Sequence, residues 1–412
     1  MKKFYFLIMV LCLTSMNCLY AADVLTLTTT EGIGAKLNAY VGTNSDVTVV
    51  VPAGYTSPEF ATANIILSSI PSVIKNLIIQ GDGTNPTLMM KGFTFPASSL
   101  TTITVKDLTL KGAADPASGT VSLGNYFAQS AVTIGSVTLD NCTIANFRGV
   151  FRMNTSNNFT NVTINNCIFR NIGSYNVFNP GGVLTNLIIS KSTFYGINGN
   201  VFALAAPSGV ANLSTVSISD CTFADIDNVG TKYFIDLGAA NTTTVLTITN
   251  TILGKTLNAA TKGIQIGTTY TVTNSYTTND WVTSANAVTG FNAYASAQSS
   301  LFKAPSIYSS DGTGTEATVG DYTLIDNTIG KIGDPRWYPT ATAVHAPSAS
   351  STVISFNGKD ITLNESRDIA IYTVAGQLLK SAVNVNVFAT GNLSKGVYVV
   401  KAGTTVQKFI VQ

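Results

Sequence analysis

Seven of the nine charged residues between positions 148 and 236 make the densest polar group of the chain: Arg148, Arg152 and Arg170, then Asp225, Asp227, Lys232 and Asp236. If the fold gathers them, the carboxylates can pass a proton between acid and base forms, and the cations can hold an anionic substrate. If it leaves them on separate turns, they are solvated surface charges. Both readings stand at this point. Tyr195 and Tyr233 add rings whose apolar faces could carry a sugar, and Arg170 with Tyr195 could contact an acidic one. His345 is the single histidine, so histidine-based zinc sites and a Ser-His-Asp triad are not expected. Cys142, Cys167 and Cys221 have no histidine nearby to activate them, and no metal site is expected.

The elements that would position these residues are repeats. ITVKDLTL (103–110), VTLDNCTI (137–144), VTINNCIF (162–169), LIISKSTF (187–194), VSISDCTF (216–223), LTITNTIL (246–253) and YTVTNSYT (270–277) share one pattern. Their starts are 34, 25, 25, 29, 30 and 24 residues apart. Apolar residues alternate as in a strand, a polar turn residue follows, and a second short strand begins. A second motif tracks the first: Tyr126-Phe127, Val150-Phe151, Val177-Phe178, Val201-Phe202, Tyr233-Phe234 and Gly263-Ile264. Two or three short strands per unit of this length describe a right-handed parallel β-helix, an all-β solenoid.

Stacking aligns equivalent residues at about 4.8 Å per coil. Val137, Val162, Leu187, Val216 and Leu246 should form one inward column, with Leu139, Ile164, Ile189, Ile218 and Ile248 the next. Phe169, Phe194 and Phe223 should stack between Ile144 and Leu253. Asn141, Asn166, Lys191, Asp220, Asn250 and Asn274 should make an interrupted turn ladder. The cysteines share a column with Ser192, Thr251 and Ser275, as small buried side chains, which leaves a Cys142–Cys167 disulfide open. Asp236 has two registers: inward with Met153 and Leu204, or outward, after a one-residue slip that turns Tyr233, Ile235 and Leu237 inward.

Residues 1–22 read as a signal peptide: Lys2 and Lys3, an apolar run over 4–13, and a small-residue cleavage site at Ala21-Ala22. The context of Cys18 is a poor lipidation box, so lipid anchoring there is not expected. Without the two lysines, the net charge of +2 falls to zero. No basic stripe points to nucleic acid, and no stretch of the mature chain is long and apolar enough to span a bilayer. Residues 23–338 form the expected β-helix domain. Residues 31–41 should be a capping helix with Ile33, Leu37 and Val41 on one side, 339–351 a linker, and 352–412 a small antiparallel β-sandwich. Its strands are expected at 353–356, 360–363, 368–372, 383–387, 396–401 and 406–411.

The strand that leads into Pro52-Ala53-Gly54-Tyr55, the Ile78-Ile79-Gln80-Gly81-Asp82-Gly83 turn and the VTIxNCxF coils resemble pectin-lyase-like β-helix proteins. The ending Ile332-Gly333-Asp334-Pro335-Arg336-Trp337 is similar to that of an exported bacterial subgroup of unassigned activity. In the C-terminal module, Ile369-Ala370-Ile371-Tyr372-Thr373-Val374-Ala375-Gly376-Gln377, Leu393-Ser394-Lys395-Gly396-Val397-Tyr398 and Lys408-Phe409-Ile410-Val411 resemble the type IX secretion system sorting domain. The Pro-Asn-Pro that usually opens such domains is missing. The resemblance implies that the protein is secreted or held at the outer cell surface, with residues 352–412 addressing the sorting machinery.

For the solenoid, the resemblance implies a polysaccharide lyase or hydrolase acting on acidic glycans. Such an enzyme needs close carboxylates beside Arg148, Arg170 or Lys232, and Ca²⁺ only in the lyase case. The outward positions of the first strands carry Asp140 as one carboxylate among Thr138, Thr163, Asn165, Ile188, Ser190, Ser217, Ser219, Thr247 and Thr249. The favoured expectation is therefore a non-catalytic partner of a polysaccharide or surface glycan, or a scaffold or adhesin, with Arg152, Tyr195 and Tyr233 as ligand contacts.

Overall fold

The computed structural model describes residues 22–56, 65–66, 70–94, 100–112, 126–128, 133–152, 158–173, 177–179, 182–206, 213–227, 230–305, 319–339, 354–403 and 405–411. The expected signal segment (bar Ala22), Cys18, the linker's interior, His345 and Met153 lie outside the described residues. The chain divides into two compact units, Met1–Pro339 and Thr340–Gln412.

The first unit is a parallel β-helix. Its strands fall into three sheets of ten, nine and eight, each ordered along the chain with one strand per coil. The sheets bring Val137, Val162, Leu187, Val216 and Leu246 into consecutive register, and likewise Leu139, Ile164, Ile189, Ile218 and Ile248. Alternation buries these columns and turns Thr138, Asp140, Thr163 and Asn165 outward. The third strand of each coil comes from the second motif, as in Gly149–Arg152 and Tyr233–Asp236.

Left-handed residues make the corners. Asp107, Asn141, Asn166, Lys191, Asp220, Asn250 and Asn274 all have φ between 47° and 57°. Asn and Asp reach this conformation most easily, because their short polar side chains bond locally. Their amides link the coils: Asn166 Nδ2 donates to Asn141 Oδ1 at 3.0 Å, and Asn274 Nδ2 to Asn250 Oδ1 at 2.7 Å. Lys191 interrupts the ladder as expected. A second corner repeats the conformation at Asn146, Asn171, Gly196 and Asp225.

The core is apolar and aromatic. Phe194 stacks on Phe169 at 4.6 Å and on Phe223 at 4.8 Å, with Ile144 and Leu253 continuing the column. Phe151 stacks on Phe178 at 4.5 Å in a second column. The three thiols are buried and free, so no disulfide joins Cys142 to Cys167. Each donates to the carbonyl two residues back, at 3.1–3.3 Å, as do the hydroxyls of Ser192, Thr251 and Ser275 in the same column at 2.7–2.9 Å. Burial pushes the Cys167 and Cys221 thiols well above their ordinary range, keeping them protonated donors.

The N-terminal helix is shorter than expected, Ile33–Asn38. Ile33 and Leu37 are buried, but the helix stops before Val41, which is 96 % exposed. The second unit is a five-stranded antiparallel sheet. Two expected strands merge into one, Asp360–Thr373, which carries register shifts between Thr362 and Ile369. Such irregularities bend a strand. Its first part therefore pairs with Ile354–Phe356 and its last part with Gly396–Ala402. The bend encloses a separate core that includes Ile361, Ile369, Ile371, Val400 and Phe409.

Candidate functional site

Arg170 and Tyr195 are neighbours on the outer face of the nine-stranded sheet, in register. Tyr195 is nevertheless only 2 % exposed, and its ring lies 5.0 Å from that of Tyr322. Residues 294–305 and 319–338 fold over this face as a strap and form a second core of Tyr195, Ala224, Ile252, Leu301, Phe302 and Tyr322. Tyr195 is therefore a packing residue and not an open sugar platform. The signal was present in the sequence: Ile168, Tyr195, Ile252 and Tyr276 are apolar or aromatic at outward positions, and such a face needs a cover.

The strap is fastened by the Gly333-Asp334-Pro335-Arg336-Trp337 run. Asp334, 1 % exposed, accepts from Thr193 Oγ1 at 2.7 Å and pairs with Arg336 Nε at 3.1 Å. Its backbone N–H donates to Thr222 Oγ1, and Trp337 Nε1 donates to Thr193 Oγ1. Arg336 Nη2 donates at 2.7 Å to Asn166 Oδ1, beside the break that Lys191 makes in the amide ladder. Burial pushes the Asp334 carboxyl up to about 6, against the pull of Arg336.

Two of the candidate carboxylates are committed to the fold, Asp225 to the strap and Asp227 to its own turn. Asp225, 2 % exposed, accepts from Gln298 Nε2 at 2.8 Å and from the Tyr322 hydroxyl at 3.0 Å, which ties the strap to the second corner. Asp227, 1 % exposed, accepts the backbone N–H groups of Gly230 at 2.8 Å and Lys232 at 3.1 Å. Burial raises its carboxyl, opposed by the Thr261 hydroxyl and these two N–H groups. Both residues adopt positive φ, which marks them as turn formers. Arg148 is half-buried where the chain leaves Phe147. Arg152 pairs in register with Asn179, and its side chain lies outside the described residues.

What remains open is a cluster on the eight-stranded sheet. Asp236 takes the outward register, beside Ala203 on one side and Gln265 on the other, while Ile235 and Leu237 point in. Tyr233 departs from the expected slip: Phe234 fills the inward position and leaves Tyr233 half-exposed. Lys262 sits in register above it, its ammonium 4.9 Å from the ring centroid. The Asn200 side-chain oxygen accepts from the Tyr233 backbone N–H at 2.6 Å. Gly238 N–H holds one Asp236 oxygen at 3.0 Å. Burial raises the Asp236 carboxyl, and Lys262 partly opposes the shift. Lys262 and Gln265 escaped the sequence reading, although they flank Gly263-Ile264 in the last copy of the second motif.

The outer face of the ten-stranded sheet is a hydroxyl and amide surface. Asn165 Nδ2 donates to Asp140 at 2.7 Å, Ser190 to Asn165 at 2.9 Å, and Asn186 to Asn161 at 2.8 Å. Among the described residues, no group of three or more His, Cys, Asp or Glu side chains could hold a metal ion. The family model for a domain of unknown function (DUF4957) matches residues 59–197. That stretch includes Arg148, Arg170 and Tyr195 and ends before the Tyr233–Asp236 cluster. No curated protein matches the chain.

Proposed function

We propose that this is an exported or cell-surface β-helix protein that holds a polysaccharide or surface glycan without cleaving it, as a glycan-binding scaffold or adhesin. One observation carries the reading: Asp225 and Asp227 are buried ties of the fold, which leaves Asp236 as the candidate carboxylate open to a ligand. Tyr233, Lys262, Asp236 and Gln265 then suit sugar binding, with a ring for the apolar face of a pyranose and charged and amide groups for its hydroxyls. Export rests on the signal-like 1–22 and on the sorting-like 352–412, which would engage the secretion machinery. Among the described residues no helix is long and apolar enough to cross a membrane.

A pectin-lyase-like lyase or hydrolase is the second reading, favoured by the raised Asp236 carboxyl, since a general acid must hold its proton. The lyase form also calls for Ca²⁺, and the described acidic residues do not fit that ion. A panel of neutral and acidic polysaccharides separates the readings. Tyr233→Ala should weaken binding of the retained polymer about tenfold, in line with the worth of a ring contact. Turnover that disappears in Asp236→Asn would favour the enzyme.

A further inference from the structure

We propose that the outer face of the C-terminal unit carries a second, separate site, for one neutral sugar residue. The strands Asp360–Thr373, Leu378–Ala389 and Gly396–Ala402 lie side by side and enclose a depression of about 370 Å³. It exists because of Ala370. This residue lies directly between Ser381 on one neighbouring strand and Lys401 on the other, and its methyl leaves the floor low where its neighbours stand tall. Ile369 and Ala402 point into the core, so alternation turns Ala370 and Lys401 to the outer face. Tyr372 walls one end and Asp368 the other.

Each group has a part in recognition. Asn384 N–H holds Asp368 Oδ1 at 2.9 Å, which orients a carboxylate that still has lone pairs for hydroxyl donors. Ser381 and Lys401 donate from opposite sides. Tyr372, Ala370 and Val383 offer an apolar surface to a ring. One carboxylate and one ammonium make the lining neutral overall, so a neutral guest is favoured over an anion. A peptide fits less well: residues 369–373, which form the floor, pair with a strand on each side, so a guest in the depression meets no free backbone there, and strand addition would take place at the outer edge of Leu378–Ala389, away from Ala370. The side chains alone must do the recognising, and a hydroxyl-rich guest suits them.

The test uses the full chain and saturation-transfer NMR with methyl glycosides of glucose, mannose, galactose and N-acetylglucosamine. Methyl glucuronide and triglycine serve as the anionic and peptide probes. At least one neutral glycoside should bind. Ala370→Leu, which fills the floor from the outer face, should weaken it at least about tenfold, and Lys401→Met or Asp368→Asn several-fold. The thermal midpoint should stay unchanged in all three variants. Tyr233→Ala should leave this binding intact, which separates the site from the one on the solenoid. Binding of no glycoside, binding indifferent to Ala370→Leu, or preference for glucuronide or triglycine would each overturn the proposal.

Discussion

Asp334 shows how an ionisable residue can look catalytic and be structural. It is buried, its pKa is raised, and it lies beside an arginine, yet it fastens the strap to Thr193 and Thr222 of the sheet and braces Arg336 within the strap itself. A folded pKa of about 6, against 3.8 without burial, means that folding takes up a proton between those values. The stability it contributes is therefore fully present below about pH 4 and is lost as the pH rises through 6. Asp334→Asn keeps a neutral hydrogen-bonding group. Its thermal midpoint should be lower throughout but should fall less between pH 4 and 7 than that of the parent protein. Equal slopes in the two proteins would refute this assignment. Asp225 makes the same point without titration: Asp225→Ala should expose the face around Tyr195 to hydrogen exchange, because Gln298 and Tyr322 lose their common acceptor.

Among the elements, the coils were legible in the sequence and the strap was not, for a physical reason. A coil's pattern is repeated, so the periodicity of Val162, Ile164 and Phe169 announces a column before any contact is known. The strap occurs once, and Thr193 meets Asp334 across 141 positions with no spacing to betray it. For that reason Asp225 could not be told from a solvated turn charge, nor Tyr195 from a platform; the ties of Asp227 to Gly230 and Lys232 are local instead, and mark a turn of its own. Alternation left Asp236 two registers, of which the structure takes the outward one, and the paired burial of Phe234 and Ile235 belongs to neither. Two substitutions test the elements separately. Phe194→Ala removes the middle ring of a stack and should cost about 3–5 kcal/mol in denaturant unfolding. Gly333→Ala should loosen the strap and leave the coils formed. At φ 88° a side chain is strained there, and its Cβ would lie 2.6 Å from Thr222 Oγ1. Faster hydrogen exchange confined to Thr193–Ile197 and its neighbours would bear this out, whereas loss of the whole β-sheet signal would contradict it.

For the whole molecule, the division of labour follows from where polar groups are committed. One sheet of the solenoid is covered by the strap, one presents a hydrogen-bonded hydroxyl and amide surface, and one carries Tyr233, Lys262, Asp236 and Gln265 at its end. The C-terminal unit has its own core. Calorimetry should therefore resolve two unfolding transitions, and a single cooperative one would mean that the units depend on each other. The central claim is that the chain holds a glycan and does not cut it. Its most direct test incubates the purified protein with a polysaccharide panel and scores two signals in each tube: polymer retained by the protein, and unsaturated or reducing ends released. Retention of at least one polymer with no release above the protein-free control is the predicted result. Release of new ends, abolished by Asp236→Asn, would contradict it.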